Sequence, residues 1–233
     1  MIEFQSAPGW LPRKRRVYAI GDIHGCARQL RDLHRQIRAD LTARPGSIPL
    51  LVHLGDYIDR GPDSSGVLEL LAGKMPAPTI NLRGNHEIAM AEALTGDAAA
   101  ATDWLVAGGE ATLQSWGADP KAPETWSAQI PASHRTVLAR LDPYHEEGGY
   151  AFAHAGIRPG IALRAQSEHD LTTIRQPFLS SEADHGHIVV HGHTPKFAPE
   201  IRDNRIGIDT AAVFGGPLTC LVLEEDRLGF LYA

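Results

Sequence analysis

Cysteine is scarce in this chain: Cys26 and Cys220 are the only two among 233 residues, and they lie far apart. That excludes a disulfide framework and a thiolate zinc site, and leaves two reduced packing residues as the expectation. Long apolar runs are missing as well. No segment approaches the length needed to cross a bilayer, and Pro8, Pro12 and a basic cluster interrupt the N-terminal stretch where a leader would need continuous apolar sequence. A cytoplasmic protein with no membrane partner is therefore expected. Positive charge is not in excess: the net charge of −6 argues against a broad nucleic-acid-binding surface, so no nucleic-acid partner is expected. The one basic cluster, Arg13, Lys14, Arg15 and Arg16, reads as a solvated lead-in to a first strand. There is also no Ser/Gly/Pro-rich linker, no internal repeat, and no low-complexity tract beyond Ala98 to Ala101. With an ordinary 43% of hydrophobic and 21% of charged residues, one globular domain over residues 1–233 is the expectation.

What the sequence does have is a series of short β-favouring runs: Val17 to Ile20, Leu50 to Leu54, Thr79 to Leu82, Tyr150 to Ala153 and Ile188 to Val190. Each has the length of a buried strand. Leu30, Leu33, Ile37 and Leu41 recur at helical spacing and predict a helix that stops near Pro45-Gly46; Val67, Leu68, Leu70 and Leu71 predict another that stops around Gly73 and Pro76. Strand and helix alternate, so the fold class is α/β with some parallel pairing. Residues 88–145 read as a helical insertion, with Trp104, Leu105, Leu113, Trp116 and Leu138 as core contacts. Beyond His193, the runs Arg205 to Asp209, Thr219 to Leu223 and Leu228 to Tyr232 predict a second sheet, antiparallel or mixed, and hence a sandwich.

The chemistry stands at the ends of the strands. In order they read Gly21-Asp22-Ile23-His24-Gly25, Gly55-Asp56-Tyr57-Ile58-Asp59-Arg60-Gly61, Gly84-Asn85-His86-Glu87, His154-Ala155-Gly156 and His191-Gly192-His193-Thr194. Groups at the carboxyl ends of adjacent strands project into one crevice, where open α/β sheets bind ligands. Asp22 and His24 alternate and can share a side. Asp56 is a second carboxylate with two oxygens to bridge two cations, and Asn85, His154 and His193 add neutral oxygen and imidazole donors. Such a mixture suits two divalent ions of manganese, iron or zinc better than calcium, with manganese the first choice.

This ordered set resembles the phosphoprotein phosphatase family of metallophosphoesterases, its bacterial branch in particular, over roughly residues 17–223. The resemblance implies a calcineurin-like β-sandwich flanked by helices. It also implies that Asp22 and His24 hold a first metal, that Asp56 bridges, and that Asn85, His154 and His193 hold a second, Asn85 standing at the substrate as well. By the same resemblance His86 protonates the leaving group, Asp59 orients His86, and Arg60 and Arg175 bind the phosphoryl group, their planar forks suiting two oxygens at once. Two metals in such a site make hydroxide available near neutral pH for direct in-line hydrolysis, without a phosphoenzyme. The implied substrate is a phosphorylated protein or peptide, on serine or threonine and also tyrosine, with small phosphoesters in reach. One position departs from the family pattern: Ala211 stands where relatives commonly have Gly.

Other functions compete. Symmetrical dinucleoside polyphosphate hydrolases typically replace the acid at position 59 and carry Asp where this chain has Glu87, which favours the phosphatase reading. Phosphodiesterases of the wider superfamily usually end in Gly-His-x-His, and here Pro195 stands two residues after His193. A metal-bound regulatory module without catalysis would be expected to lose the acid or a ligand, and none is lost. His191 could face the metals but reads better as packing or as a support behind the ligands, His53 reads as a satisfied core histidine, and Arg83 either approaches the phosphate or pairs with an acidic neighbour to brace its loop.

Overall fold

All five predicted runs are strands in the computed structural model, which describes residues 2–233. The strands are β1 (Gln5–Ser6), β2 (Arg15–Ile20), β3 (Ile48–His53), β4 (Thr79–Asn81), β5 (Tyr144–Glu147), β6 (Tyr150–Ala153), β7 (Ile188–His191), β8 (Glu200–Ile201), β9 (Arg205–Gly207), β10 (Thr219–Glu224) and β11 (Arg227–Tyr232). The helices are α1 (Ala27–Ala43), α2 (Ser64–Ala72), α3 (Asn85–Ala93), α4 (Ala98–Trp104), α5 (Glu110–Ser115), α6 (Trp126–Gln129), α7 (Ala132–Leu138) and α8 (Glu168–Thr173); a π-helical turn, Leu105–Gly109, joins α4 to α5.

Two sheets face each other. The first has the order β1-β11-β10-β2-β3-β4, the second β5-β6-β7-β9-β8. Strands β2, β3 and β4 run parallel, as do β6, β7 and β9, so the carboxyl ends of both triplets gather at one edge. The period-2 alternation of side chains along β2 divides the core. Val17 and Ala19 join Leu50, Val52, Phe152, Val190 and Leu221 between the sheets, while Tyr18 and Ile20 join Leu30, Leu33, Ile37 and Leu68 under the helices.

Two expectations need correction. Only Arg205–Gly207 of the C-terminal runs enters the second sheet; β10 pairs antiparallel with β2, and β11 with β10, in the first. The physical reason is burial on both faces: Leu221 and Leu223 pack between the sheets while Cys220 and Val222 pack under the helices, a demand that only an inner strand meets. The basic cluster is not simply a solvated lead-in either. Arg16 is buried, donating to Glu224 at 2.8 Å and to the Arg44 carbonyl at 3.1 Å, and Arg15 donates to Glu147 at 2.7 Å. Both lie within β2; Glu224 comes from the paired β10 and Glu147 from β5 of the second sheet. Cys26 and Cys220 are free thiols, as expected. Among the described residues no helix is long and apolar enough to cross a membrane.

Beneath the first sheet His53 is indeed a satisfied core histidine. Its Nδ1 donates to Asn81 Oδ1 at 2.7 Å, and its Nε2 faces His34 Nε2 at 3.1 Å. Burial pulls both imidazoles down, His34 to about 4 and His53 to about 3, the latter also through His34. The unfolded chain takes up these protons below the ordinary histidine pKa of about 6.5 and the folded chain does not. The stability is therefore complete above about pH 6.5 and drains away as the pH falls toward 4 and then 3. Each group then costs about 2 kcal/mol between pH 7 and pH 5. Urea denaturation at the two pH values should show a drop that is about 2 kcal/mol smaller in His34→Gln than in the wild type; equal drops would mean that the pair does not titrate as described.

Candidate metal centre and active-site cleft

The turns that follow β2, β3, β4, β6 and β7 meet at the shared edge of the sheets. Of the ten residues singled out from the sequence, Asp22, His24, Asp56, Arg60, Asn85, His86, Arg175 and His193 line one cleft of about 350 Å³. Asp59 and His154 do not line it; both are fully buried and reach lining residues, Asp59 at His86 and His154 at Asp56. The approach is close: a Cβ on Gly192 would collide with Asp22 Oδ1, so only glycine lets β7 end beside β2.

Backbone strain concentrates here. Eight described non-glycine residues have positive φ, and five of them are His24 (42°), Asp56 (51°), Asp59 (72°), Arg60 (67°) and His193 (62°). A left-handed residue costs roughly 1–2 kcal/mol, and such outliers cluster at functional sites, where the surroundings enforce them. Glu87 supplies part of that enforcement. Its carboxylate accepts from the backbone N–H of Tyr57 at 2.8 Å and from those of Asp56 and Gly84 at 3.0 Å, tying the second strand end to the third. The sequence offered Glu87 only as a family marker. Ala211 is likewise left-handed, at φ 59°, which explains why a glycine suits that position.

The hydrogen bonds assign the imidazole tautomers. His24 Nδ1 lies 2.8 Å from the Ile58 carbonyl and His154 Nδ1 lies 3.0 Å from the Leu54 carbonyl. A carbonyl only accepts, so each Nδ1 carries a proton and each Nε2 faces inward, the arrangement typical of histidine metal ligands. Both Nε2 atoms then lie 3.4 Å from Asp56 Oδ2. His154 Nε2 is also 3.1 Å from Asn85 Oδ1, and His193 Nδ1 is 2.9 Å from the same oxygen. Imidazole nitrogens and side-chain oxygens thus meet at hydrogen-bonding distance, and a cation could take the place of the protons between them. At the first position a guanidinium already stands in for one: Arg60 Nη1 donates to His24 Nε2 at 3.0 Å. Two groups fit a metal ion by mutual distance, His24/Asp56/His86 and Asp56/His154/His193, and both contain Asp56. Asp22 accepts from the His193 N–H at 3.0 and 3.2 Å in the same cleft.

The electrostatics carry the same message. Burial raises Asp56, but His154, His24 and His86 outweigh it and bring its pKa well below the usual carboxylate range. Burial and then the charges of Asp209 and Asp56 push Asp22 well up. Burial lowers His154, yet Asp56 and Asp22 overrule it and lift it to about 10, while burial takes His24 to about 4 and, with His154, His193 to about 3. Glu87 rises to about 7 through burial and the charge of Asp56. Carboxylates crowded out of water hold on to protons unless positive charge is brought among them. Asp209, which the sequence did not single out, belongs to this crowd and lines the cleft.

His86 falls by distance within the first of the two groups, yet its other ring nitrogen turns to an acid outside both. Its Nδ1 is 2.7 Å from Asp59 Oδ2 and its Nε2 is 4.0 Å from Asp56 Oδ2. Burial depresses its pKa, but the hydrogen bond to Asp59 and the charge of Asp56 more than reverse that, leaving it raised. Arg60 and Arg175 are exposed at the rim. Arg83 braces: it pairs with Glu168 at 2.6 Å and donates to the Leu141 carbonyl at 3.4 Å. His191 is buried against Phe178, with ring centroids 5.1 Å apart.

Known proteins resemble this chain in sequence and fold. The calcineurin-like phosphoesterase family matches residues 15–221. Serine/threonine-protein phosphatase 1 of Salmonella typhimurium is 32% identical over 224 residues, 88% of this chain and 90% of that protein. The asymmetrical bis(5'-nucleosyl)-tetraphosphatase PrpE of Anoxybacillus flavithermus is 29% identical over 227 residues, 88% and 89% of the two chains. Among solved structures, a candidate diadenosine tetraphosphatase superposes with a TM-score of 0.65 at 28% identity, covering 94% of this chain and 93% of that one. A cold-active protein-tyrosine phosphatase of a psychrophilic Shewanella, at 16% identity, covers 94% of this chain and 80% of that one and shares the fold with a TM-score of 0.59.

Proposed function

This chain belongs to the calcineurin-like phosphoesterase family, a hydrolase of phosphoesters, and we propose that within it the protein is a metal-dependent phosphomonoesterase acting on phosphoserine and phosphothreonine in proteins. The observation that carries the reading is the buried His86–Asp59 pair at 2.7 Å. An alkoxide leaving from a phosphorylated side chain needs a proton, whereas a nucleotide leaving as a phosphate is a far weaker base. A positioned general acid therefore serves the first substrate more than the second.

Asp22 and His24 would hold one divalent cation and Asn85, His154 and His193 another, with Asp56 shared between them; manganese suits the oxygen and imidazole donors. When bound, the pair supplies an activated water and charge neutralisation at the phosphoryl group. The chain's residues do the rest. Arg60 and Arg175 grip phosphoryl oxygens from the rim, Asn85 adds a contact from the helix start, and His86 gives its Nε2 proton to the departing oxygen while Asp59 holds the ring through Nδ1. Arg60 Nη1 donates to His24 Nε2 at 3.0 Å, so with His24 holding a cation the guanidinium fork would be free for the substrate.

A second reading is hydrolysis of dinucleoside tetraphosphates, favoured by the PrpE relatives and by the diadenosine tetraphosphatase neighbour. One panel separates the two. Manganese-loaded protein should release phosphate from phosphoserine and phosphotyrosine peptides faster than it cleaves diadenosine tetraphosphate. Silence on every phosphomonoester with brisk cleavage of the dinucleotide would replace the first reading by the second. Silence on both, with two metals bound, would point to a regulatory module.

A further inference from the structure

The residue pair that carries the proposed acid chemistry, Asp59-Arg60, is left-handed at both positions, and the helices after Asn85 surround it. Asp59 Oδ2 accepts not only from His86 Nδ1 but also from the indole Nε1 of Trp104, at 2.9 Å. Asp59 Oδ1 accepts from Thr112 Oγ1 at 2.6 Å. The direction of these bonds follows from the donors available. Trp104 only donates. Thr112 Oγ1 receives the Asp59 backbone N–H at 2.8 Å and lies 3.0 Å from Ser64 Oγ. With its single hydrogen committed to Asp59 Oδ1, its lone pairs are left for the other two. A one-way chain therefore runs from the Ser64 hydroxyl through the Thr112 hydroxyl to the carboxylate, and such chains polarise each other.

The next residue is held by the same segment. The Arg60 N–H donates to the Gly108 carbonyl at 3.1 Å. Gly108 has φ 116°, and a Cβ there would sit 2.7 Å from Arg60 Cγ and 2.8 Å from Arg60 N. The π-helical turn Leu105–Gly109 thus presents Trp104 to Asp59 and a bare carbonyl to Arg60. Trp104 is fully buried and packs edge-on against Trp126, 5.6 Å between ring centroids.

We propose that Trp104 and Thr112 are positioning residues for phosphoester hydrolysis: they hold the Asp59 carboxylate in the one orientation that aims His86 Nε2 at the leaving oxygen. The helical segment is in this way part of the catalytic apparatus and more than a wall beside the cleft. The inference rests on the reading of His86 as the proton donor. Neither side chain touches the substrate or the metal-ligand set, so both act through Asp59.

The test compares leaving groups in the manganese-loaded full chain. Trp104→Phe keeps a buried ring and removes the N–H; Thr112→Val keeps the shape and removes the hydroxyl, and Thr112→Ser restores it. On a phosphoserine peptide, turnover should fall about tenfold in Trp104→Phe and in Thr112→Val with KM within about twofold, and Thr112→Ser should stay near wild type. On p-nitrophenyl phosphate, whose leaving group needs little help from an acid, both losses should shrink below about twofold. A uniform loss on the two substrates, or no loss on the peptide, overturns the proposal; a melting temperature and metal content close to wild type exclude general damage, and should Trp104→Phe fold poorly, the Thr112 pair decides alone. His86→Asn serves as the control. If its own loss is equal on the two substrates, the reading of His86 fails; if it is selective while Trp104→Phe and Thr112→Val are not, only the positioning role fails.

Discussion

Asp56→Asn lowers turnover on any phosphomonoester by about 10³-fold or more, and the bound divalent metal falls from two ions per chain toward none. Asp56 Oδ2 is the atom on which both imidazoles and both potential metal groups converge. Asparagine keeps the shape and can still accept the His86 N–H, which Asp56 Oδ1 takes at 3.1 Å, so the turn should survive. What disappears is the charge. Without it, the imidazoles of His24 and His154 face a neutral amide, and the Lewis-acid contribution of several kcal/mol to the transition state goes with the cations. Metal analysis of the purified variant alongside its circular dichroism spectrum checks this. Two ions retained at wild-type affinity would show that Asp56 does not bridge.

His86→Asn has the second-largest effect, about 10²- to 10⁴-fold on a phosphoserine peptide, the range of a positioned general acid, with both metals kept. Two features make the loss specific. His86 is not among the four donors, Asp56, Asn85, His154 and His193, that converge on the second position, and its Nδ1 is committed to Asp59 at 2.7 Å. Asparagine has no proton to give at neutral pH, so the deficit should narrow as the leaving group becomes a weaker base. Rates for alkyl, peptide and nitrophenyl phosphates, plotted against leaving-group basicity, measure it. A flat offset across the series, or loss of a metal, would assign His86 to the ligand set instead, as its membership of the His24/Asp56/His86 group allows.

How far the sequence carried the fold depends on the range of the signal. The strands and the first two helices were legible because apolar spacing is local: Leu30, Leu33 and Ile37 pack on one face of α1, and the β2 and β3 runs are buried over nearly their whole length. The partner of each strand was not legible. Thr219 to Leu223 reads the same whether it joins one sheet or the other, and only the competition for burial on both faces puts β10 beside β2. Arg16 looked solvated because its acids, Asp40 and Glu224, are distant in the chain.

The candidate site divides along the same line. By itself the sequence determined which residue types stand after which strands, because a parallel sheet delivers its carboxyl-end turns to one edge whatever else the chain does. That is why Asp22, His24, Asp56, Asn85, His86 and His193 line one cleft. Only the tertiary structure decided how they are held. Trp104 reads as a core residue and is one, yet its use lies in a single N–H aimed at Asp59. Glu87 reads as part of a motif, yet it works by accepting backbone N–H groups about thirty residues earlier in the chain. Hydrogen bonds of this kind depend on distances of a few tenths of an ångström between segments that share no local pattern, and periodicity carries no record of them.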